Sequence, residues 1–241
     1  MNAKEHYESH LANFYSWMIG NFEDKQLEQE HFFRVNDIKP QSNKISIDLG
    51  AGNGLQSVSL ARLGFNVFAI DFNPQLLDEL NNNKGDLAVQ TVVDDAIHFL
   101  KTFSGEAELI ICMGDTISHL ENIEQVEALI AEISNHLSTQ GKVIFSFRDL
   151  VKYLNGDDRF IPVRSDEDRI LTCFLEYFDN YVMVHDILHE KRSGKWIQKV
   201  SSYPKLRIGV AQIELLLKKE FKILHSQSVN GMNYLIAQKI S

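Results

Sequence analysis

The sequence predicts an α/β fold built on a doubly wound, largely parallel sheet, and three observations carry that prediction. From residue 45 to residue 147, short apolar runs alternate with segments whose apolar residues recur every three or four positions, the pattern of parallel strands joined by crossover helices. Three of the strand-like runs end in acids, at Asp48, Asp71 and Asp94-Asp95. The first is followed by glycines at alternate positions, Gly50, Gly52 and Gly54, so a strand passes through a turn without side chains into a helix. Such a turn lets a ligand approach the backbone and faces it with the unpaired N–H groups of a helix start.

In chain order, residues 5–20 carry Tyr7, Leu11, Phe14, Tyr15 and Met18 near one helical face and predict a helix, and a second is expected over 25–35. Pro40, Ser42 and Asn43 mark a loop. The first strand is read at 45–49, its helix at 55–63, and the second strand at 66–70, closing on Asp71. Asn73-Pro74 is a helix start, with asparagine as cap and proline where its missing N–H costs nothing. That helix ends in the asparagine-rich run before Gly85. Strand three is expected over 87–93 and a short helix over 96–101. Strand four, over 108–113, is nearly all apolar and therefore central, covered on both faces. Ile123, Val126, Ile130, Ile133 and Leu137 predict an amphipathic helix that stops before Gly141. Strand five follows over 142–147.

After Arg148 the rhythm changes. Runs at 169–178, 181–190 and 195–203, separated by Asp179-Asn180 and Ser193-Gly194, predict an antiparallel meander. Val210, Ile213 and Leu217 return to helical spacing, and 221–226 with 234–239 form a hairpin about Asn230-Gly231 that adds an antiparallel strand to the sheet. The chain is read as one domain over 1–241: a helical cover (1–43), a ligand-binding core (44–148), an inserted β lid (149–208), and a final helix and hairpin (209–241).

Composition narrows the partners. Lys and Arg number 24 against 33 Asp and Glu, a formal net charge of −9, which argues against nucleic acid, whose backbone demands a basic footprint. Two cysteines, Cys112 and Cys173, make no disulfide framework and fit a reducing cytosol. No apolar run approaches membrane-spanning length, and the first residues lack a targeting h-region. The expectation is a cytoplasmic monomer or homodimer with no membrane partner.

The glycine turn does not fit a phosphate. The dinucleotide pattern G-x-G-x-x-G would need glycine where Leu55 stands, and G-x-x-x-x-G-K-[ST] is absent. Asp48 would repel pyrophosphate but suits an ammonium group. Asp71 can take both hydroxyls of a ribose, and an aspartate of the Asp94-Asp95 pair can accept from an adenine amino group. Met113-Gly114-Asp115 closes strand four beside the same crevice, at the carboxyl ends of strands where open α/β sheets bind ligands. The implied ligand has an amino acid, a ribose and an adenine, without phosphate.

IDLGAGNG, VFAIDFN and VVDDA resemble, in order and strand context, the first three motifs of the class I S-adenosylmethionine-dependent methyltransferases. YSWM and CMGDTISHL resemble small-molecule members of the glycine N-methyltransferase type. The resemblance implies a Rossmann-like sheet of seven strands with the last antiparallel. It implies S-adenosylmethionine as cofactor and S-adenosylhomocysteine as product. Gly50, Ala51, Gly52 and Gly54 would line the methionine moiety, with Asp48 near its amino group. Asp71 would bind the ribose, Phe72 would pack beside the adenine, and Asp95 would meet its amine with Ala96 supplying backbone. Asp94 stands where the family often has a smaller residue, so which aspartate meets the adenine stays open. Met113 would border the cofactor, and Tyr15 and Trp17 would either cover it or pack as core.

Transfer of a sulfonium methyl asks mainly for alignment of the acceptor, and for a base only where the acceptor carries a proton. His119 is a candidate base or orienting group, its alternative being a capping or surface histidine. Asp115 and Tyr15 are rim candidates for catalysis. Arg148 and Arg207 could hold an acidic acceptor, or pair with nearby acids instead. His6 with His10, and His185 with His189, share faces, but no third ligand converges and no metal is expected. Both cysteines are read as core residues. The expected function is methyl transfer to nitrogen or oxygen of a small molecule. The alternatives are a non-catalytic S-adenosylmethionine binder or a protein methyltransferase.

Overall fold

The computed structural model describes residues 2–240. Its N-terminal stretch is not the single helix expected over 5–20. Asn2 and Glu5 cap each other's backbone N–H groups to start α1 (Ala3–Ser9). His10 (φ −136°) and Phe14 (φ −138°) then leave helical geometry, bracketing a 3-10 turn before the short α2 (Tyr15–Ile19). Tertiary packing explains the break: Leu11 and Phe14 are buried with Leu171 and Leu188 of the inserted sheet. α3 (Phe22–Val35) begins earlier than residue 25 because the Asn21 side chain accepts from the Asp24 N–H.

The core follows the expected alternation: β1 (Ile45–Leu49), α4 (Leu55–Arg62), β2 (Asn66–Asp71), α5 (Pro74–Lys84), β3 (Val89–Val93), α6 (Ala96–Thr102), β4 (Ala107–Cys112), α7 (Ile123–His136) and β5 (Leu137–Phe147). Asn73 caps α5 by accepting from the Leu76 N–H at 3.1 Å, with Pro74 in the first turn. Leu137, expected in the helix, opens β5 instead, and Gln140 (φ 64°) absorbs the irregularity where the strand starts.

The insertion has four strands, not three: β6 (Phe160–Ser165), β7 (Arg169–Tyr177), β8 (Tyr181–Arg192) and β9 (Lys195–Leu206), antiparallel in sequential order. β6 was hidden by Pro162 and Arg164, where its register shifts. An edge position tolerates proline, because no neighbour needs its missing N–H. α8 (Val210–Leu217), β10 (Phe221–Val229) and β11 (Met232–Lys239) complete the chain.

The main sheet has the order β10-β11-β5-β4-β1-β2-β3. β11 enters it antiparallel to both neighbours, as expected of the last strand. α6, α7 and α8 bury Phe99, Ile130 and Ile213 against one face, and α3, α4 and α5 bury Phe33, Leu60 and Leu80 against the other. Each fully buried side chain of this kind contributes roughly 1.5–3 kcal/mol. Two covered faces leave the carboxyl ends of β1, β2 and β4 as the open edge, and the inserted sheet and N-terminal segment lie over it. Among the described residues no helix is long and apolar enough to cross a membrane.

Candidate active site

At the β1–α4 turn the backbone is pinned from below. The N–H groups of Gly50 and Ala51 both donate to the Ile70 carbonyl, at 2.8 and 2.9 Å. Gly50 (φ 79°) and Gly54 (φ 95°) are left-handed. A Cβ at Gly50 would run into the Thr116 side chain, and one at Gly54 would stand 2.5 Å from Leu80 Cγ. Asp71 ends β2 with Oδ2 accepting from the Gly52 N–H and Oδ1 from the Asn73 N–H, each at 2.8 Å. Burial raises its carboxyl above the ordinary value, against the two backbone bonds. One carboxylate therefore holds the glycine turn and the start of α5 in register.

Above this turn lies a cavity of about 550 Å³ that continues under the inserted sheet. Tyr15, Gly50, Ala51, Gly52, Asp71, Phe72, Met113, Asp115, His119 and Arg148 all line it. Glycine backbone, the Asp71 carboxylate at the β2 tip and Phe72 line one end of it, a set whose chemistry fits an aminoacyl group, a ribose and an aromatic base.

Other expected site residues stand elsewhere. Asp48 is 1% exposed beneath the turn, accepts from Ser57 Oγ at 2.6 Å and lies outside the lining. Burial pushes its carboxyl up to about 7. Gly54 serves the turn's packing on Leu80 and not the cavity wall. Asp95 caps α6, accepting from the N–H groups of Ile97 and His98 at 2.9 and 3.0 Å, while Asp94 pairs with His98 Nδ1 at 2.8 Å. Both aspartates and Ala96 lie outside the lining, so neither aspartate is favoured for an adenine.

Two expectations are corrected. Trp17 does not reach the cavity: its indole N–H donates to Asp166, and Arg164 and Arg169 flank the ring at 5.7 and 5.6 Å. It ties α2 to the β6–β7 turn. Arg207 stands outside the cavity lining, and its guanidinium donates to the carbonyls of Leu150, Val151, Phe178 and Asp179 and to Tyr153 Oη. Those bonds use its fork to close the insertion onto the loop after β5.

Under the lid the cavity is polar at two points. Asp115, left-handed at φ 74°, accepts from the Arg148 N–H at 2.6 Å, the Arg148 guanidinium and Lys205 Nζ at 3.0 Å. Burial opposes ionisation, but Lys205 and Arg148 overcome it and hold the carboxyl far below its usual range. At the second point Asp186, 2% exposed, accepts from the Cys173 thiol at 3.0 Å and meets His6 Nε2 at 3.0 Å. His6 Nδ1 lies 2.8 Å from Ser201 Oγ, and the ring stacks on Tyr203 at 4.0 Å. Cys173, expected as plain core, thus also lines the cavity, with burial and Asp186 pushing its thiol up.

His119 sits between these points. Burial, then the Lys205 charge, push its imidazole down to about 3. Its Nδ1 is buried without a hydrogen-bond partner among the described residues, and Nε2 is 3.5 Å from Tyr7 Oη. Tyr15 stays a neutral phenol, its proton held by burial and the Asp71 charge.

Lys205, Asp186 and Tyr203 were not anticipated. The signal existed: in β8 the buried positions alternate as Val182, Val184, Asp186 and Leu188, so an acid falls on the apolar phase of the strand.

Residues 47–141 match the family profile described as a methyltransferase domain. A glycine/sarcosine N-methyltransferase of Halorhodospira halochloris is 27% identical over 128 residues, 52% of this chain and 48% of the relative. A ubiquinone biosynthesis O-methyltransferase of Rickettsia typhi is 32% identical over 135 residues, 51% of this chain and 50% of the relative. The chain spans about half the length of the curated relatives it matches. In fold, an S-adenosylmethionine-dependent methyltransferase from Clostridium acetobutylicum superposes with a TM-score of 0.74 at 15% identity, covering 99% of this chain and 98% of that one. Residues 47–141 thus match a methyltransferase domain, and the chain shares its fold with the S-adenosylmethionine-dependent methyltransferase of Clostridium acetobutylicum.

Proposed function

We propose that the protein transfers a methyl group from S-adenosylmethionine to nitrogen or oxygen of a small molecule held under the inserted sheet. The observation that carries this is the single cavity joining the glycine turn and Asp71 to the compartment of His119, Lys205 and Tyr203. Bound at the turn, S-adenosylmethionine supplies an electrophilic sulfonium methyl. The chain's part is to exclude water and align an acceptor against that face, which can account for much of the barrier reduction. His119, neutral across the physiological range and pushed down to about 3, is too weak a base to hold an acceptor's proton and serves instead to orient the acceptor by a hydrogen bond to its ring nitrogen. Asp115 holds Arg148 and Lys205 at the rim and acts through them.

Similarity to N- and O-methyltransferases supports the same reading of the acceptor atom. The enclosing lid favours a small molecule over a protein chain. Incubating the protein with methyl-labelled S-adenosylmethionine and a fractionated metabolite extract tests the proposal. The expected result is label in a low-mass product with equimolar S-adenosylhomocysteine. Tight cofactor binding without turnover on any fraction would leave a non-catalytic binder. Label in polypeptide alone would overturn the small-molecule acceptor.

A further inference from the structure

The charges of the acceptor compartment do not balance locally. Two cations, Arg148 and Lys205, converge on one carboxylate, Asp115. Lys205 is the more enclosed, with its side chain 12% exposed against 58% for Arg148. Two other carboxylates line the cavity, and each is engaged elsewhere. Asp71 is bound to the glycine turn. Asp186 is taken by His6 and Cys173. Register sets Lys205 opposite Val182, four residues along β8 from Asp186, which is about 13 Å at the rise of a strand.

The remaining titratable groups facing this end add no negative charge. His119 is neutral, and burial holds the Tyr7 and Tyr203 phenols protonated. The walls between the charged points are apolar: Leu150, Ile161, Leu175 and Val184. An enclosed ammonium that shares its carboxylate with a guanidinium is incompletely compensated, and a buried charge is costly until it is paired. The chain as a whole has a net charge of −9, so this positive end is a local construction: Lys205 projects from β9 of the lid and meets groups at the ends of β4 and β5.

We propose that Lys205, held by Asp115 and flanked by Arg148, seats the carboxylate of an apolar carboxylic acid, and that this acid is the acceptor. The acid's apolar body lies along Leu150, Ile161, Leu175 and Val184. Lys205 is a specificity-determining residue in this account, since an uncharged analogue would leave its ammonium without the added partner. The assignment of this acid as acceptor rests on the methyl-transfer reading; the anion seat itself does not.

Benzoate and benzamide, equal in shape and differing in charge, are the probes. They are titrated by calorimetry into the full chain saturated with S-adenosylhomocysteine. Benzoate is expected to bind at least about tenfold tighter than benzamide, the margin of a charge-assisted contact. Lys205→Met brings the two probes within about twofold of each other, and Lys205→Arg keeps the preference for benzoate. Arg148 still neutralises Asp115 in both variants, and unchanged S-adenosylhomocysteine affinity verifies their fold. Equal binding of the two probes, no benzoate binding, or a preference that survives in Lys205→Met would overturn the proposal. If S-adenosylhomocysteine itself does not bind, the methyl-transfer reading fails separately, and the same probe pair on the unliganded chain still decides the anion seat.

Discussion

At the residue scale, Asp48 and Asp71 illustrate two uses of a strand-end acid. Asp71 reaches the cavity while its two oxygens already hold the Gly52 and Asn73 N–H groups. A hydrogen bond to a charged group contributes about 1.5–3 kcal/mol, so Asp71→Ala should weaken S-adenosylhomocysteine binding roughly tenfold to a hundredfold by calorimetry. Unchanged affinity in a folded variant would remove it from the site. Asp48 has its carboxyl raised by burial to about 7 from an ordinary 3.8. Its folded form therefore holds a proton that the unfolded chain has lost. The associated stability is fully present below about pH 4 and is lost as pH rises through about 7. Thermal and denaturant melts should show Asp48→Asn gaining on the parent between pH 5 and pH 8, by about 3 kcal/mol over that interval. A gap that stays constant with pH would contradict the buried protonated acid. If a ligand ammonium also approaches Asp48 from above the turn, binding near pH 6.5 should release protons. That release would be read from calorimetry in buffers of different ionisation enthalpy and would vanish in Asp48→Asn.

At the element scale, the decisive structure is the contact between the N-terminal segment and the lid. α1 carries His6 into the lid, where it meets Asp186 and Ser201, and Leu11 and Phe14 follow it onto Leu171 and Leu188. His6→Ala would leave Asp186 buried with its Cys173 bond alone. The expected cost is about 1.5–3 kcal/mol of stability, read as a lower urea midpoint with no change in S-adenosylhomocysteine affinity. An unchanged midpoint would show that the pair does not hold the lid. These contacts also separate the parts of the fold that the sequence makes legible from those it hides. β1 to β5 were legible because local rules and the tertiary environment agree there: apolar runs, an Asn73-Pro74 start and glycines between them. The helix expected over 5–20 broke because its apolar residues serve two surfaces, lid and turn, a division that periodicity does not record. β6 was missed for its Pro162. Asp186 and Lys205 gain their meaning from the register of β8 on β9 and the fold-back of the lid, which join residues far apart in the chain. Arg207 and Trp17 were legible as residue types able to bind a ligand, but backbone carbonyls and Asp166 claim them.

At the scale of the whole molecule, one cavity runs from the ends of β1, β2 and β4, where we propose the cofactor, to the underside of the insertion, where we propose the acceptor. The cofactor face follows local sequence motifs. The acceptor face depends on long-range packing and is where members with the same core can differ in substrate. Any ligand bound to the folded chain alone must stabilise the whole: S-adenosylhomocysteine at a hundredfold excess over its Kd contributes about 2.7 kcal/mol. For a chain of this size that is a rise in Tm of roughly 5–10 °C, and no rise under saturation would count against binding to the native state.

We propose that the glycine turn and Asp71 seat an adenosyl amino acid. Titration calorimetry of the full chain with S-adenosylhomocysteine tests it most directly. One site per chain is expected, with a Kd below about 100 μM, corresponding to at least about 5.5 kcal/mol of binding free energy. Absence of binding at high micromolar ligand by a folded chain would contradict it.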